Sequence, residues 1–228
     1  MTIWRVQPIH SLKDGYSEVN LRTPALSIRR YTKKIEYYLD IQQGQTIIDF
    51  GCGDGAVTQI LAKAYPDSKF IGVDYSEELI EYAKKNNQRE NIKYISANLE
   101  VDKLPIDDES IDKIFSWGVM YYIHPVNSYQ TYQSEFFRTL KLQGRIFHFQ
   151  IPLRYGCICR QVDADIGKIK TWLRNIKKNI MDLRSCNINE YSYKYSIRDL
   201  MRNRSQFSAA QIIHDDFFLE RISILYTK

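Results

Sequence analysis

Three glycines at alternate positions, Gly51, Gly53 and Gly55, follow the β-leaning run Thr46–Phe50 and precede an apolar-periodic run that starts at Ala56. Without a Cβ, such a turn can adopt left-handed conformations and bring its backbone close to a ligand. By spacing, Gly51-Cys52-Gly53-Asp54-Gly55-Ala56 satisfies the G-x-G-x-x-G/A fingerprint of dinucleotide turns. Asp74 ends the next β-leaning run, where a ribose-binding carboxylate belongs. Charge argues against a dinucleotide. A pyrophosphate would sit on the helix N-terminus, yet Asp54 lies in that loop and Asp49 just before it. Carboxylates facing a dianion repel by several kcal/mol, as an order of magnitude, at low effective dielectric.

Those carboxylates suit a ligand with positive groups and no phosphate. S-adenosylmethionine carries an ammonium and a sulfonium, and its methionine part and ribose would lie directly against the glycines.

The elements that must position these residues alternate. Thr46–Phe50, Lys69–Tyr75, Ile92–Asn98, Asp112–Gly118 and Gly144–Pro152 read as strands. Ala56–Tyr65, Glu77–Gln88 and Ser128–Lys141 read as helices, with Ser76 as the N-cap of the second. This rhythm argues for a parallel sheet with helices on both faces. Right-handed crossovers bring every strand's carboxyl end to one edge, where ligands bind near the point at which strand order reverses. Pro24–Asp40 has helical apolar spacing and is closed by Gly44. Asp163–Arg184 carries an apolar stripe at steps of three and four, and Ala209–Lys228 reads as two adjacent antiparallel strands.

Four stretches in order, "IIDFGCGDG", "GVDYS", "ISANLEVDKLPIDDESIDKIFSWGVMYYI" and "RTLKLQGRIF", resemble the successive motifs of class I S-adenosylmethionine-dependent methyltransferases. The resemblance covers about residues 44–151 and is nearest the broad subgroup acting on small molecules, quinones, lipids and peptides. It implies a Rossmann-like α/β fold, with a mostly parallel seven-stranded sheet and an antiparallel C-terminal strand. It implies one domain over 1–228: a helical cap at 1–43, a cofactor-binding core at 44–151, a basic helical insertion or lid at 152–195, and terminal strands at 196–228. It also implies roles. Asp49 holds the methionine ammonium, directly or through water. Gly51, Cys52 and Gly53 present backbone to the methionine part. Asp74 accepts both ribose hydroxyls, and Tyr75 lies on one adenine face. Asn98, where the family more often has Asp, meets the adenine amino edge, and Leu99 packs beside it. Ser116 and Trp117 line the site near the transferable methyl.

Chemistry at the acceptor is less constrained. Ser116-Trp117-Gly118-Val119 stands where enzymes methylating nucleobase or glutamine amines carry an Asn/Asp-Pro-Pro-Tyr/Phe run, which argues against those acceptors. His124, in "MYYIHP", is placed to take a proton from a hydroxyl or amine; a surface role is the alternative. Tyr121 and Tyr122 orient or stack on an acceptor, or pack in the core. Methyl transfer from an activated donor needs little base help, because alignment supplies much of the rate.

Charge sharpens the acceptor question. The net charge of +5 is matched by Arg154–Arg184 alone, where eight basic residues face three acidic ones. That stretch reads as a lid with solvated charges, as a selector of an anionic acceptor, or as a contact for an anionic surface. No RNA-binding module is visible, so nucleic acid is disfavoured as a partner and a small-molecule or peptide acceptor is expected, with RNA methylation and a non-catalytic cofactor-binding scaffold as the alternatives. Cys157 and Cys159 lack a second pair at zinc-ligand spacing, so no metal site is expected. No apolar run approaches the roughly 18 residues of a membrane span, and the first twenty residues lack a secretory pattern. Together with few, reduced cysteines these features point to the cytoplasm.

Overall fold

The structure, a computed structural model, describes residues 25–99, 103–123, 128–152, 197–201, 206–214 and 221–228. His124, the insertion with its expected helix over 163–184, and the first 24 residues lie outside the described residues.

The chain runs α1 (Ala25–Leu39), β1 (Thr46–Phe50), α2 (Ala56–Ala64), β2 (Lys69–Asp74), α3 (Glu77–Asn86), β3 (Ile92–Ser96) and β4 (Ile111–Trp117). A 3₁₀ turn (Met120–Tyr122), α4 (Tyr129–Thr139), β5 (Leu140–Pro152), α5 (Ile197–Met201), β6 (Ala209–His214) and β7 (Arg221–Thr227) complete it. One sheet has the order β3-β2-β1-β4-β5-β7-β6. Strands β1 to β5 pair in parallel, and β7 runs antiparallel to both β5 and β6. Strand order reverses between β1 and β4, so the glycine turn after β1 lies at the switch point.

Local chemistry explains the boundaries. Ser76 caps α3 by accepting the Leu79 amide, and Glu77 and Glu78 fill its first turn. Helix α4 stops at Thr139, and β5 begins at Leu140, earlier than the apolar pattern suggests. Leu140 already pairs with Ile111; a register shift and a left-handed Gln143 (φ 63°) then absorb the irregularity before Arg145.

Apolar side chains fill both faces of the sheet. On one face, Ile48, Ile114, Ile146 and Ile224 pack under α4 residues Tyr129, Tyr132 and Phe136. On the other, Ile47, Phe70, Phe115 and Phe147 pack under α1 and α2 residues Ile35, Leu39, Leu61 and Ala62. Among the described residues, no helix is long and apolar enough to cross a membrane.

One polar cluster interrupts the first face. Fully buried His148 meets Ser116 Oγ through Nδ1 (2.8 Å) and Gln133 Nε2 through its own Nε2 (2.7 Å). This ties β5, β4 and α4 together just below the carboxyl edge. Tyr129 and Tyr226 exchange a hydroxyl bond (2.6 Å) alongside, and Tyr226 donates to the Leu200 carbonyl. Burial pushes the His148 imidazole down to about 3, so it is neutral in the fold. An unfolded chain takes up that proton below its ordinary value near 6.5, so this group's contribution is lost as pH falls from 6.5 toward 3. His148→Ala is expected to cost about 2–5 kcal/mol at pH 7, from the cavity and two stranded polar groups. It also flattens the loss of stability between pH 6.5 and 4. Urea denaturation across that range checks both effects.

Candidate active site

Strand β1 leaves the sheet through a turn that is left-handed at Gly51 (φ 74°), Gly53 (φ 55°) and Gly55 (φ 78°). An added Cβ at Gly51 would lie 2.1 Å from Val119 Cγ2, and one at Gly55 would lie 2.4 Å from the Tyr94 hydroxyl. Glycine is therefore required at both positions by conformation and by space. The turn is tied to β2: the Gly51 and Cys52 amides both donate to the Val73 carbonyl (2.7 and 3.0 Å). The Gly53 amide donates to Asp74 Oδ2 (2.8 Å), and the Ser76 amide to Asp74 Oδ1 (2.9 Å). A carboxylate offers about four acceptor positions, so these bonds orient Asp74 without exhausting it.

Three carboxylates surround this turn. Asp49, 3% exposed, accepts from the Thr58 hydroxyl at 2.6 Å. Asp54 Oδ1 accepts from the Ala56 amide just before α2 (3.1 Å). Among the described residues no Lys or Arg forms an ion pair with any of the three. Burial pushes Asp49 up to about 7; the Thr58 bond opposes this, and the charges of Asp74 and Asp54 add to it. Burial also raises Asp74, against the pull of the Ser76, Gly53 and Tyr75 amides. Asp54 is raised for the same first reason.

The remaining expected residues sit along the same edge. Cys52 is buried, and burial, then the charges of Asp49, Asp74 and Asp54, hold its thiol well above the usual range. Tyr75 follows Asp74 and is 45% exposed. Asn98 is half-buried and Leu99 fully buried beyond β3. Trp117 ends β4, half-buried against Tyr31 of α1 (centroids 4.8 Å). Ser116 faces the core, its hydroxyl engaged with His148. Tyr121 lies in the 3₁₀ turn, and only its backbone is described. The structure thus gathers Asp49, the glycine turn, Asp74 and Tyr75 at one place. The β4 end joins them through Val119 over Gly51.

Several contributors were not singled out from sequence. Thr58 orients Asp49; its only signal is a hydroxyl at a buried position of an otherwise apolar helix face. Tyr94 fills the space under Gly55 and Gly72 and donates to the Asn87 carbonyl (3.0 Å). Tyr122, which the sequence set either at an acceptor or in the core, is half-buried in the 3₁₀ turn, its hydroxyl pushed up by burial and then by the charge of Asp74. Among the described residues no group of His, Cys, Asp and Glu is arranged to hold a metal ion.

The chain is a doubly wound α/β domain with an acidic glycine turn at its switch point, the place where such sheets bind ligands. The chain belongs to the methyltransferase domain family, whose model matches residues 41–203. A demethylmenaquinone methyltransferase of Lactococcus lactis subsp. lactis is 30% identical over 147 residues, covering 62% of this chain and 56% of that protein. The chain spans between 24% and 56% of the length of the first curated relatives it matches. In fold it is similar to a TehB-like methyltransferase of Corynebacterium glutamicum (TM-score 0.64, 18% identity, covering 97% of this chain and all of that one). It is also similar to the geranyl diphosphate C-methyltransferase of Streptomyces coelicolor (TM-score 0.61, 14% identity, covering 97% and 85%).

The ionisation of Asp49 has a measurable consequence in the ligand-free protein. Its folded value is raised above the unfolded one, near 3.8. Stability from this group is therefore present at low pH and lost as pH rises through about 7. Asp49→Asn removes that loss, and is expected to stabilise the ligand-free protein by up to about 4 kcal/mol at pH 8. The gain vanishes near pH 4. Thermal melts at the two pH values check it.

Proposed function

We propose that this chain is a methyltransferase that moves a methyl group from S-adenosylmethionine to O or N of a small molecule or peptide. The observation that carries the reading is the cluster of Asp49, Asp54 and Asp74, without a basic partner among the described residues, around a left-handed glycine turn at the sheet's switch point. It disfavours phosphate and favours a cation beside a ribose. The family assignment supports the same reading. So does a fold neighbour determined with S-adenosylhomocysteine.

In this reading Asp49, steadied by Thr58, takes the methionine ammonium. The backbone of Gly51, Cys52 and Gly53 flanks the methionine part. Asp74, pre-oriented by two amides, takes the ribose hydroxyls. Tyr75 covers one adenine face, Asn98 meets the adenine amino edge, and Leu99 packs beside it. Trp117 borders the methyl end, and Ser116 braces it from below through His148. Tyr121 and His124 serve the acceptor side, His124 as the base where the acceptor carries a proton. The cofactor, when bound, supplies a methyl already activated on a sulfonium. The protein's task is then alignment of the acceptor and exclusion of water. A relative named for demethylmenaquinone supports a small-molecule acceptor. A cytoplasmic setting suits the free thiol of Cys52.

Two measurements test this. Asp74→Ala is expected to abolish calorimetric binding of S-adenosylhomocysteine; retained micromolar affinity removes the ribose assignment. In the wild type, ligand binding requires Asp49 ionised. Affinity therefore holds from pH 8 to about 7 and weakens by up to tenfold per unit toward pH 5.5. A flat profile shows that Asp49 does not meet the ammonium.

A further inference from the structure

Asp49, Gly72 and Tyr94 occupy one row of the sheet. Asp49 pairs with Gly72 across β1 and β2, and Gly72 with Tyr94 across β2 and β3. Residues paired in this way present their side chains on the same face. Gly72 has none, and Tyr94 fills the space: a Cβ built on Gly72 would lie 2.5 Å from Tyr94 Cδ1 and 3.0 Å from Cys52 Sγ. The tyrosine ring therefore lies across β2 toward β1, and its hydroxyl ends beneath Gly55 of the glycine turn. Asp49, Thr58 and Tyr94 are all buried.

The hydroxyl hydrogens of this row can be placed one by one. Tyr94 has a single one, directed to backbone: the Asn87 carbonyl at 3.0 Å and the Gly55 carbonyl at 3.4 Å. Its oxygen is left as an acceptor, and Thr58 stands within hydrogen-bonding reach of it. Thr58 also has a single hydrogen, which goes to Asp49 Oδ2 at 2.6 Å. Thr58 thus lies between two acceptors and serves one at a time. An ionised Asp49 takes the Thr58 hydrogen. A protonated Asp49 donates to the Thr58 oxygen instead, and Thr58 turns its hydrogen to Tyr94. In that form every hydrogen has an acceptor, from Asp49 to Thr58, Tyr94 and the Asn87 carbonyl. Among the described residues, the titratable groups facing Asp49 are Cys52 and Asp54 in the turn, Asp74 at the end of β2 and Tyr94 on β3. Helix α2 brings Thr58, and β4 brings Phe115 beside it.

We propose that Tyr94 is a positioning residue that acts through Thr58 to keep a proton on Asp49 until the ammonium of a ligand displaces it. This rests on the methyltransferase reading. The proton leaves to solvent as the ammonium docks, and the Thr58 hydrogen swings back to the carboxylate. The ligand-free turn thereby avoids a further negative charge beside Asp54 and Asp74, and the charge appears when a cation is there to meet it.

The experiment is a titration of Asp49 in the full, ligand-free chain, read by NMR from its carboxyl carbon resonance and assigned by its loss in Asp49→Asn. Tyr94→Phe keeps the ring and removes the second acceptor. The midpoint is expected to fall by about 0.5–1 pH unit, roughly a three- to tenfold loss of proton affinity. In a Thr58→Val background the same Tyr94→Phe change leaves the midpoint in place, because the connecting hydroxyl is gone. A midpoint unmoved by Tyr94→Phe, or an equal fall in the Thr58→Val background, overturns the proposal. The wild type gives a second reading: the Tyr94 Cζ resonance moves with the Asp49 midpoint, and a resonance flat through that range overturns the proposal as well. Calorimetric binding of S-adenosylhomocysteine separates the two claims. From a wild-type midpoint of about 7, Tyr94→Phe is expected to bind about three- to fivefold more tightly than the wild type at pH 6 and equally at pH 8. Weaker binding at both pH values marks a structural role and overturns the proposal. A protein that binds S-adenosylhomocysteine with an Asp49 midpoint unmoved by Tyr94→Phe loses the role of Tyr94 alone. One that shows the midpoint pattern without binding S-adenosylhomocysteine loses the methyltransferase reading alone.

Discussion

Three carboxylates converge on one backbone turn without a basic partner among the described residues, and much of the fold is organised around that arrangement. Isolated, such a cluster is unfavourable: burial and mutual repulsion both disfavour the charged forms. The sheet holds it in place regardless. Asp49 is part of β1, an interior strand, and cannot leave without breaking pairings to both β2 and β4. Asp74 ends β2 and is held by two amides, one from the turn itself and one from the start of α3. Strain stored this way is a ligand preference, because a cation relieves it and an anion worsens it.

The surrounding packing keeps that turn in its single shape. Val119 closes over Gly51, and Tyr94 closes under Gly55, so the glycines are clamped from two sides. The β4 end that carries Val119 is in turn fixed from below by the Ser116–His148–Gln133 bonds. A neutral imidazole suits this task. It bonds on both sides at once and adds no charge to a buried layer that neighbours an acidic site.

Much of this was legible in the amino-acid order, for physical reasons. The β1 residues Thr46–Phe50 and the turn after them announce themselves locally, since glycine spacing and β-leaning residues act within a few positions. Asp74 was legible because the end of a strand in an alternating α/β pattern has only one destination, the carboxyl edge. The early start of β5 at Leu140 was not, because it depends on a pairing with Ile111 and an irregular register that no local pattern encodes. Thr58 and Tyr94 were missed for the same reason: each acts on a residue brought near only by the fold. Tyr31 read as one apolar position among several in a helix. Its place beside Trp117 follows from the direction of α1, which sequence periodicity leaves open.

The proposed function requires that the glycine turn prefer an adenosyl ligand bearing an ammonium over a phosphate-bearing one. Parallel calorimetric titration of the purified protein with S-adenosylmethionine, S-adenosylhomocysteine and NAD measures that preference directly. Binding of the two adenosyl ligands with no heat from NAD is the predicted result. Binding of NAD alone would mean that the carboxylates do not govern the site, and the methyltransferase reading would fall with them.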